Sequence, residues 1–485
     1  MSSLNRRDFL KTIGAGTASL WIGSIESCSF KKKDKPNIIY INIDDLGWKD
    51  LDFMGSDYYE TPHIDNLARE GVVFTNAYAP SANCAPSRAS CLTGLYAPRH
   101  GIYTVNNSDR GDVRTRKLIP IENRTVLQDS FVTIAENLKQ NGYVTAHMGK
   151  WHLGDDPRTQ GFDVNIAGNT FGHPPSYFSP YQNPNLENGP EGEYLPDRLT
   201  SEAIQFVKNN QFRPFFLYMS YYAVHSPLQP KPEKRNKYLR KQGTAGQNNA
   251  KYAAMVDSVD ENVGRLLETL KDVDLFDNTV VLFTSDNGGV FRFTSSAPLR
   301  AGKGSFYEGG IRVPMIIRWP GKIEPGTECE TPVNGIDFYP TFLEMTRTQK
   351  PAEKILDGVS LMPWLTQSGQ IEERPLFWHF PIYLEGGNRE TRDPAFRTRP
   401  GSVVRMGNWK LHEYFEDGGL ELYNLSEDIG EQKNLINTHP EKAKELYTRL
   451  ETWRNEIKAP IPTDLNPEYD EKIDIEKRRS LAEKK

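Results

Sequence analysis

The stretch Asn37-Ile38-Ile39-Tyr40-Ile41-Asn42-Ile43, which runs directly into Asp44-Asp45, constrains the fold more than any other segment. A nearly continuous apolar run of this length suits a strand buried on both faces, and such strands belong in parallel sheets covered by helices. The pattern recurs along the chain. Val144–Met148, Pro214–Met219, Thr279–Thr284 and Val313–Trp319 read as further strands, with amphipathic segments at Ser130–Asn141 and Lys251–Leu270 between them. Within the second segment, Ala254, Val256, Val259, Val263, Leu266, Leu267 and Leu270 recur at roughly helical spacing, which turns one face toward a sheet. Strand, helix and strand in succession predict an α/β architecture with a large, mostly parallel central sheet.

Functional residues of such sheets gather beyond the carboxyl ends of the strands. Asp44 and Asp45 follow one strand, His225 lies just past another, and Asp286-Asn287 follow a third. Singly, each is an ordinary loop residue or helix cap. Converging, three carboxylates repel one another unless a cation sits among them. Oxygen donors of this type specify calcium or magnesium, with calcium favoured because it tolerates irregular coordination. Lys150 and His152 stand two apart in Gly149-Lys150-Trp151-His152-Leu153-Gly154, and Lys303 lies between Gly302 and Gly304. A lone His152 would more often be structural. Beside Lys150, and with Arg88, His225 and Lys303, it completes a set of donors for a compact anion. A cation facing these groups is a device for holding a tetrahedral oxyanion and stabilising charge as its ester bond breaks.

With 485 residues the chain exceeds the size at which one core keeps growing, so a second, smaller unit is expected. Short strand candidates at Pro375–Phe380, Ser402–Met406 and Trp409–Tyr414, with a helix over His439–Lys458, predict a smaller C-terminal antiparallel sheet with a helix. Glu421–Leu425 reads as the start of a loop and the charged end from Pro467 as frayed. The expected organisation is a leader over 1–35, a main domain over 36–370 and a subdomain with a charged tail over 371–485. A formal charge of -5 gives no reason to invoke nucleic acid. The cysteines Cys28, Cys84, Cys91 and Cys329 are too few for a disulfide framework, and no paired CxxC units suggest zinc. Cys84 and Cys91, seven residues apart, leave open a bridge between them, half of a metal site, or something else.

The N-terminus is a separate matter. Asn5-Arg6-Arg7-Asp8-Phe9-Leu10-Lys11 precedes a small-residue apolar stretch to Ile25 that is too short and too broken to span a bilayer stably. The arginine pair resembles a bacterial twin-arginine export signal, whose cargo crosses already folded. Ile25-Glu26-Ser27-Cys28 resembles a degenerate lipoprotein box, with Lys31–Lys35 as a tether. An exported bacterial protein is expected, either periplasmic or held at the outer membrane through a lipid on Cys28.

Cys84-Ala85-Pro86-Ser87-Arg88-Ala89-Ser90 resembles the signature of the type I sulfatases, in which the leading cysteine of a Cys-x-Pro-x-Arg core is oxidised to formylglycine (3-oxoalanine). Leu92-Thr93-Gly94 and His100-Gly101 extend the match. So do the blocks at Asn42–Asp45, Gly149–Gly154, Ala223–Pro227, Thr284–Gly289, Gly302-Lys303 and Glu308–Pro314, in the usual order, so that the resemblance covers roughly Pro36 to the end. It implies an alkaline-phosphatase-like sandwich carrying one calcium, bound by Asp44, Asp45, Asp286, Asn287 and the modified Cys84. Arg88 would position formylglycine, while Lys150, His152, His225 and Lys303 would hold sulfate oxygens and assist departure of the alcohol. The hydrated aldehyde would supply two hydroxyls, one to attack sulfur and one whose proton is later lost so that the aldehyde re-forms and expels sulfate. A bridge to Cys91 would consume this nucleophile, so Cys91 reads as a small buried neighbour on a helix beginning near Arg88. Because twin-arginine cargo folds before export, the implied partner is a formylglycine-generating enzyme acting in the cytoplasm. A host without it is expected to yield folded protein with little activity.

An exported sulfatase suits a sulfated glycan. Gly161–Asn169, followed by Gly172–Tyr181, resembles bacterial carbohydrate sulfatases that act on 4-O-sulfated galactose or N-acetylgalactosamine, which implies exo action on such a sugar. Asn169 and His173 are hydrogen-bonding candidates there and Tyr177 a platform, against the plainer reading of a rigid loop held by Pro174 and Pro175. Arg292, Arg312, Arg397 and Arg399 are further substrate candidates. A phosphate or phosphonate monoester hydrolase of the same superfamily, a glycan-binding protein without turnover, and a structural envelope protein stand as alternatives.

Overall fold

The computed structural model describes residues 35–483. The leader, the lipid site at Cys28 and most of the tether lie outside the described residues. The large sheet holds eight strands: β1 (Asn37–Ile43), β2 (Val72–Phe74), β3 (Val144–Gly149), β4 (Val164–Ile166), β5 (Phe215–Ser220), β6 (Thr279–Ser285), β7 (Met315–Arg318) and β8 (Thr327–Cys329). Their spatial order is β4-β3-β5-β1-β6-β7-β2-β8. Strands β4, β3, β5, β1 and β6 run parallel, and only β7 is reversed, pairing antiparallel with both β6 and β2. All seven residues of β1 are buried, as its apolar run requires at the centre of a covered sheet.

Period-two geometry sends alternate side chains of each strand into different cores. Ile39, Ile41 and Ile43 of β1 pack with Leu217, Met219, Val281 and Phe283 against the helix Ala250–Asp272. Ile38 and Tyr40 pack with Phe216, Tyr218, Val280 and Leu282 against the helices Ile134–Gln140 and Phe338–Met345. This is the α/β sandwich that the alternating pattern predicts. The first of these smaller helices starts later than its sequence periodicity suggests, at a capping box in which Thr133 and Glu136 satisfy each other's backbone N–H groups.

The C-terminal sheet has four antiparallel strands: β9 (Leu376–Phe380), β10 (Gly401–Met406), β11 (Trp409–Tyr414) and β12 (Leu420–Asn424). The helix Pro440–Ile457 packs on it, with Trp453 stacked on Phe377 at 4.5 Å. Two expectations are corrected here. Leu420–Asn424 is a strand, not the start of a loop, because it pairs antiparallel with β11, and the polar Glu421 is accommodated there by the Tyr307, Tyr414 and Tyr423 hydroxyls, which bond its Oε2 at 2.7, 3.2 and 3.1 Å. The charged end does not fray at Pro467. Glu471–Glu483 is a helix, pinned by Asp474, which is 1% exposed and accepts a 3.0 Å bond from Arg399.

Several buried histidines are held neutral by their surroundings. His379 is one: its Nε2–H donates to the Pro460 carbonyl at 2.8 Å and its Nδ1 faces the Ser402 hydroxyl at 2.8 Å. Burial depresses its pKa to about 3. A depressed histidine contributes stability that is present above the unfolded pKa near 6.5 and is lost as pH falls toward 3. Burial raises Asp50 to about 6 and Asp260 to about 7, which acts in the opposite sense over part of that window, so the difference between two proteins is the informative quantity. His379→Gln keeps hydrogen-bonding capacity without the titration. Between pH 7.5 and 5, the stability of wild type relative to this variant is expected to fall by about 2 kcal/mol in denaturant titrations. A pH-independent difference would contradict it.

Candidate active site

Cys84 opens the helix Cys84–Thr93, and Asn83 before it is extended. The helix starts four residues earlier than the sequence suggests, because Pro86 falls in the first turn, where its missing N–H costs nothing. Cys84 is thus set at the positive end of a helix, suited to negative charge developing on its side chain or on an anion beside it. Cys84 and Cys91 are unbridged. Cys91 points into the core, close enough to Gly335 that a Cβ there would lie 2.6 Å from its sulfur.

Around Cys84 the carboxyl ends of β1, β3, β5 and β6 converge. The Cys84 thiol lies 3.5 Å from Asp44 Oδ1, and Lys303 Nζ donates to its sulfur at 3.1 Å. Lys150 Nζ bonds Asp44 Oδ2 at 2.6 Å, and Lys303 Nζ lies 2.6 Å from Asp45 Oδ1. Arg88, 1% exposed, bonds Asp286 Oδ2 through Nε at 2.9 Å and Nη2 at 2.6 Å, while Nη1 reaches the Lys150 carbonyl at 2.9 Å and the Ser220 hydroxyl. Asn287 Nδ2 donates to Asp45 Oδ1 at 2.8 Å. Gly302 and Gly304 flank Lys303 because a Cβ at either would collide, 2.5 Å from the Gly289 carbonyl oxygen and 2.6 Å from Arg397 Cδ.

His225 Nδ1–H donates to the Ser226 carbonyl at 2.7 Å, which leaves Nε2 unprotonated and facing Asp45 Oδ2 at 3.6 Å. Two acceptors aimed at each other, and Asn287 Oδ1 buried without a partner, fit a cation. Ligand atoms of Asp44, Asp45, Cys84 and His225 all lie within 4.8 Å of one another. Asp286 and Asn287 border this cluster, so the donor set is the oxygen-rich kind that calcium takes. Burial raises Asp44 to about 7 despite Lys150, whereas at Asp45 the charge of Lys303 and its hydrogen bond outweigh burial and hold the carboxyl below the usual range. Burial also pushes the Cys84 thiol up to about 11, so the unmodified side chain is a weak nucleophile at neutral pH. His152 sits beside the cluster with Nδ1 unpartnered, and burial followed by Lys150 drives its pKa well below normal.

The sugar-binding expectations divide. His173 is exposed, and its ring lies parallel to that of His225 with centroids 6.1 Å apart, so it borders the site. Tyr177 is not a platform: its ring is fully buried and its hydroxyl bonds the carbonyls of Tyr222 at 2.7 Å and His225 at 2.8 Å, bracing the histidine from behind. Asn169 is also turned inward, its amide spent on Ala167, Asn183 and the Phe171 N–H. Arg399 is saturated by Asp393, Glu416 and Asp474, and Arg312 by the Thr75 carbonyl and Glu308, so neither presents a guanidinium to a ligand. Arg292 is exposed and Arg397 partly so. Sequence reasoning missed Ser220, which donates to the Lys150 carbonyl at 2.7 Å and accepts from Arg88. It also missed Tyr252, whose hydroxyl contacts the Asp45 carbonyl at 3.0 Å and Asp50 at 2.6 Å beneath the acidic loop. The signal for Ser220 was present, since it ends an apolar strand just as Asp44 follows one.

The family model described as "Sulfatase" matches residues 36–348, and that of the N-sulphoglucosamine sulphohydrolase C-terminal region matches 302–458. The chain belongs to the type I sulfatase family. A "Sulfatase" from Formosa agariphila is 34% identical over 95% of this chain and 96% of its own length. The N-acetylgalactosamine-6-sulfatase of Canis lupus familiaris is 33% identical over 86% of this chain and 78% of its own. Among solved structures, Ps i-CgsB in complex with a neocarrahexaose superposes with a TM-score of 0.74 at 30% identity, covering 93% of this chain and 98% of that one. This sulfatase is therefore a sulfuric ester hydrolase with the alkaline-phosphatase-like sandwich of its relatives.

Proposed function

We propose that this sulfatase releases inorganic sulfate from a sulfated galactose or N-acetylgalactosamine unit of a glycan, with residue 84 as formylglycine and one calcium ion. The supporting observation is the position of Cys84: at a helix N-terminus, within 3.5 Å of a carboxylate and 3.1 Å of a lysine, on the rim of an oxygen-rich cluster. Calcium, held by Asp44, Asp45, Asp286, Asn287 and residue 84, would neutralise the carboxylates and polarise the reacting oxygens. Formylglycine would supply a hydrated aldehyde as nucleophile.

The remaining work falls to side chains of the chain itself. Arg88, fixed from four directions, holds Asp286 and keeps a permanent positive charge beneath residue 84. Lys150 and His152 line the sulfate-oxygen side. Lys303 stays protonated because the charge of Asp45, 2.6 Å away, outweighs its burial, so it can donate to an oxygen as charge grows there. His225 has its Nδ1–H fixed on Ser226, so Nε2 is the nitrogen that would take up a proton from solvent and hand it to the leaving alcohol oxygen. Lys303 and His225 together serve departure of the sugar oxygen.

The sugar assignment draws on the Gly161–Tyr181 stretch and on the names of the relatives. The 4-O position is the reading carried from that stretch, and the 6-position is the one in the mammalian relative's name. Export, with maturation by a formylglycine-generating enzyme beforehand, completes the proposal. A panel of 4-O- and 6-O-sulfated galactose and N-acetylgalactosamine, with phosphate monoesters at matched leaving groups, tests it. Sulfate released from the 4-O sugars at rates far above any phosphate is the expected result. Preference for phosphate would replace the reading with a phosphate monoester hydrolase, and tight sugar binding with no sulfate released by protein of confirmed modification would replace it with a binding protein.

A further inference from the structure

Arg292, Arg312, Arg397 and Arg399 lie in different electrostatic environments. Arg399 is neutralised by three carboxylates and Arg312 by Glu308. Arg397, only two residues from Arg399, meets no carboxylate at ion-pair distance among the described residues. Its Nε donates to the Gly386 carbonyl at 3.2 Å and its Nη1 to the Lys303 carbonyl at 3.4 Å. Both are neutral acceptors, and Nη2 has no partner among the described residues. The aliphatic part of the side chain rests on Gly304, where a Cβ would lie 2.6 Å from Cδ, so the guanidinium is held in place rather than swinging in solvent. Burial lowers its pKa, the more distant charges of Asp45 and Glu385 oppose that without reaching ion-pair distance, and Arg292 and Arg110 add repulsion. Arg110 is itself paired with Glu385 at 2.8 Å, whereas Arg292 is exposed, has no carboxylate partner among the described residues and lies over the Phe291 ring at 5.7 Å.

The location gives this surplus charge a meaning. Lys303 Nζ touches Cys84 and Asp45, and the carbonyl of the same residue touches Arg397. The guanidinium is therefore one lysine side chain away from the reacting centre. A partly buried, immobilised, uncompensated arginine is costly unless a ligand supplies the counter-charge, and its fork geometry matches sulfate or carboxylate oxygens.

We propose that Arg397, assisted by Arg292, forms a second anion subsite that receives an additional sulfate or carboxylate of the same glycan while the scissile sulfate occupies the Cys84 centre. The proposal rests on the sulfated-glycan reading above and narrows the substrate to sugars carrying at least two anionic groups. It adds a reason for the arginine to be fixed by backbone carbonyls rather than by an acid: a carboxylate there would cancel the charge the substrate needs.

The test measures binding apart from turnover. Calcium-loaded Cys84→Ala protein is titrated by calorimetry with N-acetylgalactosamine 4-sulfate, with N-acetylgalactosamine 4,6-disulfate, and with a uronate-containing disaccharide of N-acetylgalactosamine 4-sulfate. At least one of the two doubly anionic ligands is expected to bind about tenfold more tightly than the monosulfate, and Arg397→Gln or Arg292→Gln in the same background is expected to shrink that ratio toward one. The disulfate and uronate arms distinguish a second sulfate from a carboxylate. Arg292 is exposed, so its variant folds even if the Arg397 variant does not. Equal affinity for all three ligands, or a ratio that survives both substitutions, overturns the subsite. Sulfate release by modified wild type is assayed in parallel, and its absence on every sugar counts against the sulfatase reading separately.

Discussion

Cys84→Ala is expected to lower sulfate release by roughly 10⁴-fold or more while leaving a folded protein, because it removes the nucleophile and little else. The side chain is 1% exposed but small, and its loss takes away one thiol contact to Asp44 and one acceptor for Lys303. Lys303 keeps its 2.6 Å contact to Asp45, and Lys150 keeps its 2.6 Å bond to Asp44, so the cationic lining survives. A stability change of about 1 kcal/mol is the scale for one small buried group. Thermal unfolding and sulfate release measured on the same preparation separate the two effects. Activity near the wild-type level would remove residue 84 from the chemistry.

Arg88→Ala is expected to damage both stability and activity. The guanidinium is buried and satisfied by Asp286, the Lys150 carbonyl and Ser220, so truncation strands the Asp286 carboxylate without its main partner. Breaking one side of a buried ion pair costs about 3–5 kcal/mol. Loss of a preorganised positive charge next to the nucleophile costs a further 10²–10³-fold in turnover, the scale seen when one such donor is removed. Arg88→Lys restores the charge but cannot reach Asp286 with two nitrogens and the Lys150 carbonyl and Ser220 with a third. It is expected to recover part of the stability and little of the rate. Equal unfolding midpoints for wild type and Arg88→Ala would contradict the buried pairing.

The core of the fold and of the site was legible because both obey strong local rules. An apolar run buried on two faces fixes β1, and polar residues at the ends of such runs fix where Asp44, Asp45, Asp286 and Asn287 go. The loops were less legible because residue type does not reveal direction. Tyr177 in a Pro-rich loop reads as a surface ring, yet its hydroxyl finds two buried carbonyls and the ring follows it inward. Arg397 and Arg399 stand two apart in the sequence, and Asp393 together with the distant Glu416 and Asp474 neutralises only the second of them. The final helix was misread for the same reason, since Asp474 and Arg399 meet across 75 residues and a local charge count cannot see the pair.

The central claim is that chemistry at this site depends on converting Cys84 to formylglycine. Preparations made with different levels of maturation, in which the converted fraction of residue 84 is quantified by a peptide mass map that also shows Cys91 unchanged, test it most directly. The rate of sulfate release from a 4-O-sulfated N-acetylgalactosamine substrate is expected to rise in proportion to that fraction and to vanish with it. A fully unconverted preparation that releases sulfate at the rate of the converted one would contradict the account.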